Sequence, residues 1–338
     1  MTQKNEAPAL LFSLLITGSL IAAGVWWLAE KSGIPVGNFE PKPSTTALPN
    51  SKPSADWTEV QNVPPGIFNY GGSTSWAPIR LSVDAALQAA RPEFRLRYVN
   101  PVGSAPSSAV GIQMLLNGQI QFAQSSRPIT PQEQQDAQQK GLSLKEIPIA
   151  IDGIAIAVHP SQSAPGLTLD QLREIYLGRI TNWQQVGGQD LAIVVFSRRD
   201  LDGNIFSEQV LKGQPLPATT QIVGTTTEGL QKVGSTPGGI YFASAPEVVP
   251  QCTVKTMPLG TTNQFVAAYE GSLATCPTRN RLNTKAFQDG TYPLTRNLSV
   301  IVKQNNSREQ QAGEAYANLL LSTPAQEAIA KAGFVRVR

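Results

Sequence analysis

Ser197-Arg198-Arg199-Asp200-Leu201-Asp202-Gly203-Asn204 follows the apolar, β-branched run Leu191 to Phe196, and far upstream Gly72-Ser73-Thr74-Ser75 follows Ile67-Phe68-Asn69-Tyr70. Each is a strand-like run that ends in small and hydroxyl residues where a helix should begin. Exposed amide groups at a helix start carry partial positive charge, so such turns can cradle an oxyanion without a metal. Taken singly, each turn also fits an ordinary strand-to-helix connection with capping residues.

The same alternation recurs along the chain. Apolar positions at helical spacing run through Ile79, Val83, Leu87 and Ala90, and Phe94 to Val99 alternates as a strand does. A helix is expected from Val110 to Leu116, stopped by Asn117-Gly118, and a strand from Ile120 to Ala123 leads into Gln124-Ser125-Ser126-Arg127-Pro128. Ile147 to Val158 reads as one long strand interrupted at Asp152-Gly153, long enough to pass between lobes. Thr168 caps a helix that Gly178 ends, and a further helix is expected over 205–211. Leu298 to Val302 is a second long strand, and Gln310 to Ala332 reads as one closing helix. Strands alternating with helices of this length imply a mostly parallel sheet covered on both faces, with ligands collecting beyond the carboxyl ends of the strands.

Composition narrows the function. At 338 residues the chain has room for two domain-sized lobes, and 27 Lys plus Arg against 24 Asp plus Glu give a net charge of +3. No dense basic run exists, so nucleic acid is not an expected partner. The single histidine, His159, rules out a metal site built from several histidines, and it reads as structural. Cys252 and Cys276 lack metal-site spacing and suit one disulfide in an oxidising compartment, two unpaired thiols being the alternative. No nucleophile-and-base pair or carboxylate–histidine cluster is evident, so no enzyme activity, metal or cofactor is expected.

Ala7 to Ala29 is uncharged and largely apolar, long enough to cross a hydrocarbon layer of about 30 Å as a helix. Residues 1–32 are therefore a membrane anchor or a cleavable signal segment. Trp26-Trp27 at the exit side favours retention, small residues near Ile21 to Ala23 leave cleavage open, and Val25 stands where a lipoprotein would need cysteine. Residues 33–66, with Pro35, Pro41, Pro43, Pro49, Pro53, Pro64 and Pro65, read as an extended tether.

Gly72 to Ile79, Asn117 to Pro128, Leu167 to Trp183 with Gly187-Gly188, Thr236 to Ile240, Tyr292-Pro293-Leu294 and Ala332 to Val335, in that order, resemble the phosphate-binding proteins of ABC transporters. Together they span nearly everything from Phe68 to the C-terminus. The resemblance implies a two-lobed, type II periplasmic-binding-protein α/β fold, with mixed sheets flanked by helices and a two-crossing hinge near Asp152-Gly153 and Tyr292. Lobe 1 would comprise 67–152 and 291–338, and lobe 2 153–290. It also implies a monomer outside the plasma membrane that captures inorganic phosphate and delivers it to an ABC permease.

Carried over by position, the resemblance places phosphate ligands at Thr74, Ser75, the backbone of Trp76, Ser108, Ser126, Arg198 and Asp202-Gly203-Asn204. Hydroxyls and amides donate without adding charge, and one guanidinium supplies a bidentate grip. Asp202 departs from the family's hydroxyl donor, and a carboxylate near 4 Å from a dianion costs on the order of 1 to 4 kcal/mol. Our reading is that Asp202 accepts the proton of a protonated phosphate in place of an acceptor lost at Ser126, with Arg198, Arg199 and Arg127 offsetting its charge. The alternative is a membrane-tethered sensor or scaffold with an altered anion site, or a binder of another small oxyanion.

Overall fold

Two long strands carry the architecture. The computed structural model describes residues 55–198, 205–262, 264–270, 276 and 281–337. Strands β1 (Gly66–Gly72), β2 (Phe94–Tyr98), β3 (Phe122–Ser125) and β4 (Ser143–Val158) precede β5 (Leu167–Thr168) and β6 (Val194–Arg198). β7 (Gln221–Val223), β8 (Gly239–Ser244), β9 (Lys255–Met257), β10 (Leu259–Gly260), β11 (Thr295–Gln304) and β12 (Val335–Arg336) follow. The order is β2-β1-β3-β11-β4-β8-β6-β7, with β9 and β12 also on β4, and a separate β5–β10 pair.

β1 pairs in parallel with β2 and β3, whereas β11 runs antiparallel to β3 and β4. β4 pairs with β11 from Ser143 to Gly153, then from Ile154 onward with β8 and, from Ile156, with β9. One strand therefore serves two lobes, each with its own core. Phe68, Tyr70, Phe122, Leu298 and Tyr316 pack in the first; Ile156, Tyr176, Trp183, Phe206 and Phe242 pack in the second.

Parallel strands of both lobes end toward the same gap: β1 at Gly72, β3 at Ser125 and β6 at Arg198, with β8 ending at Ser244. Gly72 has φ +127, and a Cβ there would lie 2.2 Å from the Gln124 carbonyl oxygen, so only glycine lets β1 and the following turn lie against β3. The helix Ser108–Leu116 comes equally close at Gly111, where a Cβ would meet the Gly72 Cα at 2.5 Å.

The structure departs from the sequence reading in several places, and the sheet is mixed rather than mostly parallel because β11 and β4 run antiparallel to their neighbours. Packing begins before Ile67: Val60 is buried in the first core, and Trp57 Nε1 donates to the Leu319 carbonyl at 3.2 Å, so the tether stops short of residue 66. The closing helix is two, Arg308–Leu320 and Thr323–Lys331, because buried Ser322 donates its hydroxyl to Leu319 O at 2.6 Å and Pro324 starts a new helix. The strand expected from Leu191 begins at Val194 and runs on to Arg198, while the helix expected over 205–211 contracts to a π-helical turn at Phe206–Val210. The apolar stretch Ala7 to Ala29 lies outside the described residues, among which no helix is long and apolar enough to cross a membrane.

Gly111→Ala should destabilise the protein by about 1–3 kcal/mol, since backbone rather than a flexible side chain must give way. Urea unfolding checks this; an unchanged midpoint contradicts the close approach.

Candidate functional site

A cleft of about 100 Å³ opens at the strand ends. That volume suits a small ion rather than a peptide or sugar chain. From the first lobe it is lined by Ser73, Thr74, Ser75, Ser107, Ser108 and Ser126, from the second by Arg198, Thr226, Ser244 and Glu247, and between them by Arg296. Thr74, Ser75, Ser108, Ser126 and Arg198, drawn from separate parts of the chain, thus share one cavity. Asp202, Gly203 and Asn204 lie outside the described residues.

Hydrogen bonding gives the first wall a direction. The Ser75 amide donates to Ser73 Oγ at 3.3 Å, and Ser73 donates its hydroxyl to Ser126 Oγ at 2.9 Å. The Ser126 amide donates to Ser108 Oγ at 3.0 Å, and the two hydroxyls lie 3.3 Å apart. Arg296 Nη2 donates to Ser75 Oγ at 3.1 Å. A guanidinium can only donate, so the Ser75 hydroxyl accepts from it and keeps its own hydrogen for a ligand. The helix start at Ser108, capped by Ser107, and the 3₁₀ turn Thr74–Trp76 add their positive ends to this wall.

Trp76 stands behind the wall. Its side chain is buried, its Nε1 donates to the Ser125 carbonyl at 2.9 Å, and its amide donates to the Ser73 carbonyl at 3.3 Å. Arg127, expected to offset charge in the site, is instead buried in a bidentate pair with Glu133 at 2.7 and 2.9 Å. Its charge is consumed within the first lobe.

Two features of the site escaped the sequence reading. Arg296 on β11 and Asp152 on β4 are register partners, and Arg296 donates from Nε and Nη2 to Asp152 Oδ2 at 2.9 and 2.7 Å. Ser244, at the end of β8, donates to Asp152 Oδ1 at 2.5 Å. Asp152 is 1% exposed and Arg296 8%, so the pair sits in the protein interior at the point where β4 changes partners. The second feature is Glu247, which lines the cleft and is exposed; partial desolvation by the surrounding protein, with help from Asp152, pushes its carboxyl above the usual carboxylate range, against Thr226, Arg296 and Arg198.

Behind Ser73 a buried polar network braces the turn. Tyr70 and Tyr316 donate their hydroxyls to Asp84, the latter at 3.1 Å, and Gln124 Nε2 donates to the Tyr316 hydroxyl at 3.0 Å. Arg80 donates to Gln124 Oε1 at 2.8 Å and to the Ser73 carbonyl at 3.4 Å. Burial raises the Asp84 carboxyl above its ordinary range. Cys252 and Cys276, in the second lobe, are joined by a disulfide with Cα atoms 5.6 Å apart.

Residues 59–324 match the model of the PBP superfamily domain. The chain belongs to the PBP superfamily, whose two-lobed periplasmic-binding-protein fold it shows. Among its relatives, the phosphate-binding protein PstS of Staphylococcus epidermidis is 26% identical over 243 residues, covering 69% of this chain and 68% of that protein. A substrate-binding protein of Clostridium perfringens solved with bound phosphate is 26% identical and superposes with a TM-score of 0.62, covering 81% of this chain and 100% of that one. An ABC-type phosphate transport receptor of Vibrio cholerae, 24% identical, superposes at 0.64 over 79% of this chain and 99% of its own, and shares the fold.

Asp152→Ala should cost about 3–5 kcal/mol of stability, because it leaves the buried Arg296 charge without its carboxylate. Chemical denaturation checks it. A cost below about 1 kcal/mol would show that Arg296 finds another partner.

Proposed function

We propose that this chain is the substrate-binding component of an ABC-type phosphate uptake system, holding inorganic phosphate in the cleft between its lobes. The observation that carries the reading is the convergence of Ser75, Ser108, Ser126 and Arg198 on one small cavity with a donor-rich wall. The relatives named phosphate-binding, and the one solved with bound phosphate, support it. In this reading Thr74, Ser75, Ser108 and Ser126 grip the anion from lobe 1 (67–152 and 291–338) and Arg198 grips it from lobe 2 (153–290). Asp202-Gly203-Asn204 are the proposed remainder of the shell, whereas the Trp76 amide, which the resemblance also implied, is bonded to the Ser73 carbonyl. Binding is selective because fixed donors replace water around the anion, and the grip is strong because Arg198 adds charge. No bond is made or broken.

Delivery follows from closure. Lobes joined by two crossing strands can hinge at Asp152-Gly153 and near Tyr292, and the closed form presents a joint surface to a membrane permease. The body works as a monomer outside the plasma membrane, and the apolar stretch Ala7 to Ala29 tethers it there through the Pro-rich segment.

Calorimetric titration of the full chain with phosphate should give one site per molecule, and Arg198→Ala should weaken it by about a hundredfold or more. Absence of phosphate binding by the unaltered chain overturns the reading. The tether has its own test: the full chain should stay with membranes through a high-salt wash, and a chain starting at residue 55 should be released. Equal release of both would show that the N-terminal stretch is not a retained anchor.

A further inference from the structure

One amide of the turn after β1 is left for a ligand. The Ser73 amide donates to the Gln124 carbonyl, the Ser75 amide to Ser73 Oγ and the Trp76 amide to the Ser73 carbonyl. Among the described residues nothing accepts from the Thr74 amide, and Thr74 lines the cleft. Its direction is set from behind. In a trans peptide the C=O of one residue and the N–H of the next point opposite ways, so whatever draws the Ser73 carbonyl back turns the Thr74 N–H forward. Two donors draw it back, the Trp76 amide at 3.3 Å and Arg80 Nη1 at 3.4 Å. Arg80 itself stands outside the cleft lining.

The guanidinium is held firmly for this task. Arg80 is half-buried on the helix Ala77–Ala90, with Cζ 4.2 Å from the centre of the Tyr98 ring, and Nη1 also donates to Gln124 Oε1 at 2.8 Å. Gln124 Nε2 donates to the Tyr316 hydroxyl at 3.0 Å, and that hydroxyl donates to Asp84 at 3.1 Å. Every hydrogen bond in the series points from the guanidinium toward the carboxylate, so each polarises the next. Among the described residues Arg80 and Asp84 share no direct ion pair; they are joined through Gln124 and Tyr316, with Asp84 one turn further along the same helix. A direct pair would cancel the cation, whereas this relay leaves its field at the wall of the cleft.

We propose that Arg80 is a positioning residue of the anion site, fixing the Ser73–Thr74 peptide so that the Thr74 amide faces the bound anion and strengthening that amide as a donor. This rests on the phosphate reading above. Phosphate then feels Arg198 from the lining and Arg80 through one peptide bond. A neutral donor behind Ser73 could hold the carbonyl, but a charged one also polarises the peptide and makes its N–H a better donor. Lysine keeps the charge and loses the planar stacking on Tyr98, so it is a partial substitute.

Calorimetric phosphate titrations and amide NMR spectra of the full chain test this. In the unaltered chain the Thr74 amide proton should move downfield as phosphate binds. Arg80→Met keeps an apolar stem over Tyr98; it should weaken phosphate binding about tenfold and shrink that movement, and Arg80→Lys should recover to within about threefold of the unaltered chain. A merely structural role would weaken both variants alike and leave the Thr74 movement unchanged at saturating phosphate, which overturns the proposal. Arg80→Met binding phosphate within about twofold of the unaltered chain also overturns it, and the phosphate reading stands. Should Arg80→Met fail to fold, a Thr74 amide that stays still while the unaltered chain binds phosphate overturns it as well. If the unaltered chain binds no phosphate, the phosphate reading falls and takes this inference with it.

Discussion

The ion pair between Asp152 and Arg296 is the constraint on which the rest of the structure depends. The two residues face each other across β4 and β11, the strands that pass between the lobes, with N···O distances of 2.7 and 2.9 Å. Burying two charges is expensive, and a buried pair is weak grounds for stability in itself. Its value here is register. A one-residue slip of β11 on β4 would leave both charges unpaired and carry every side chain of β11, buried on both faces from Leu298 to Lys303, to the opposite face of the sheet. Because Arg296 also holds Ser75 and Asp152 also holds Ser244, the same pair fixes a hydroxyl of the first lobe and the end of β8 in the second.

From that anchor the site follows by local rules. Close backbone contacts at Gly72 and Gly111 bring β1, β3 and the helix Ser108–Leu116 together, so Ser73, Ser126 and Ser108 reach one another through their hydroxyls. The network of Asp84, Tyr316, Gln124 and Arg80 supports Ser73 from behind, and each member has partners, as a buried polar cluster requires. The second wall needs less construction: β6 ends at Arg198, and β8 ends one residue before the helix that carries Glu247.

Most of the fold was legible because its signals are local. Strand–helix alternation, Thr168 as a cap and the long apolar run through Val158 are all periodic or positional features, and each has its counterpart in the structure. The turn serines and Arg198 were legible for the same reason, lying at strand ends. Arg296 was not, since its meaning lies in a partner 144 residues away and it sits inside a strand, where an arginine carries no local signal. Glu247 was hidden in the same way within a four-residue helix. The break at Ser322 was missed because Thr323-Pro324 suits a second helix start as well as the apolar spacing suits one continuous helix. Arg127 was misjudged because its neighbour in sequence is the site, whereas its neighbour in space is Glu133.

In the proposed function, hydroxyls of the first lobe and Arg198 of the second close on one tetrahedral anion. A crystal structure of the protein grown with phosphate tests it most directly. Phosphate should lie in the cleft, within hydrogen-bond distance of the Ser75, Ser108 and Ser126 hydroxyls and of the Arg198 guanidinium. Phosphate bound elsewhere, or held by one lobe with Arg198 turned away, would contradict it.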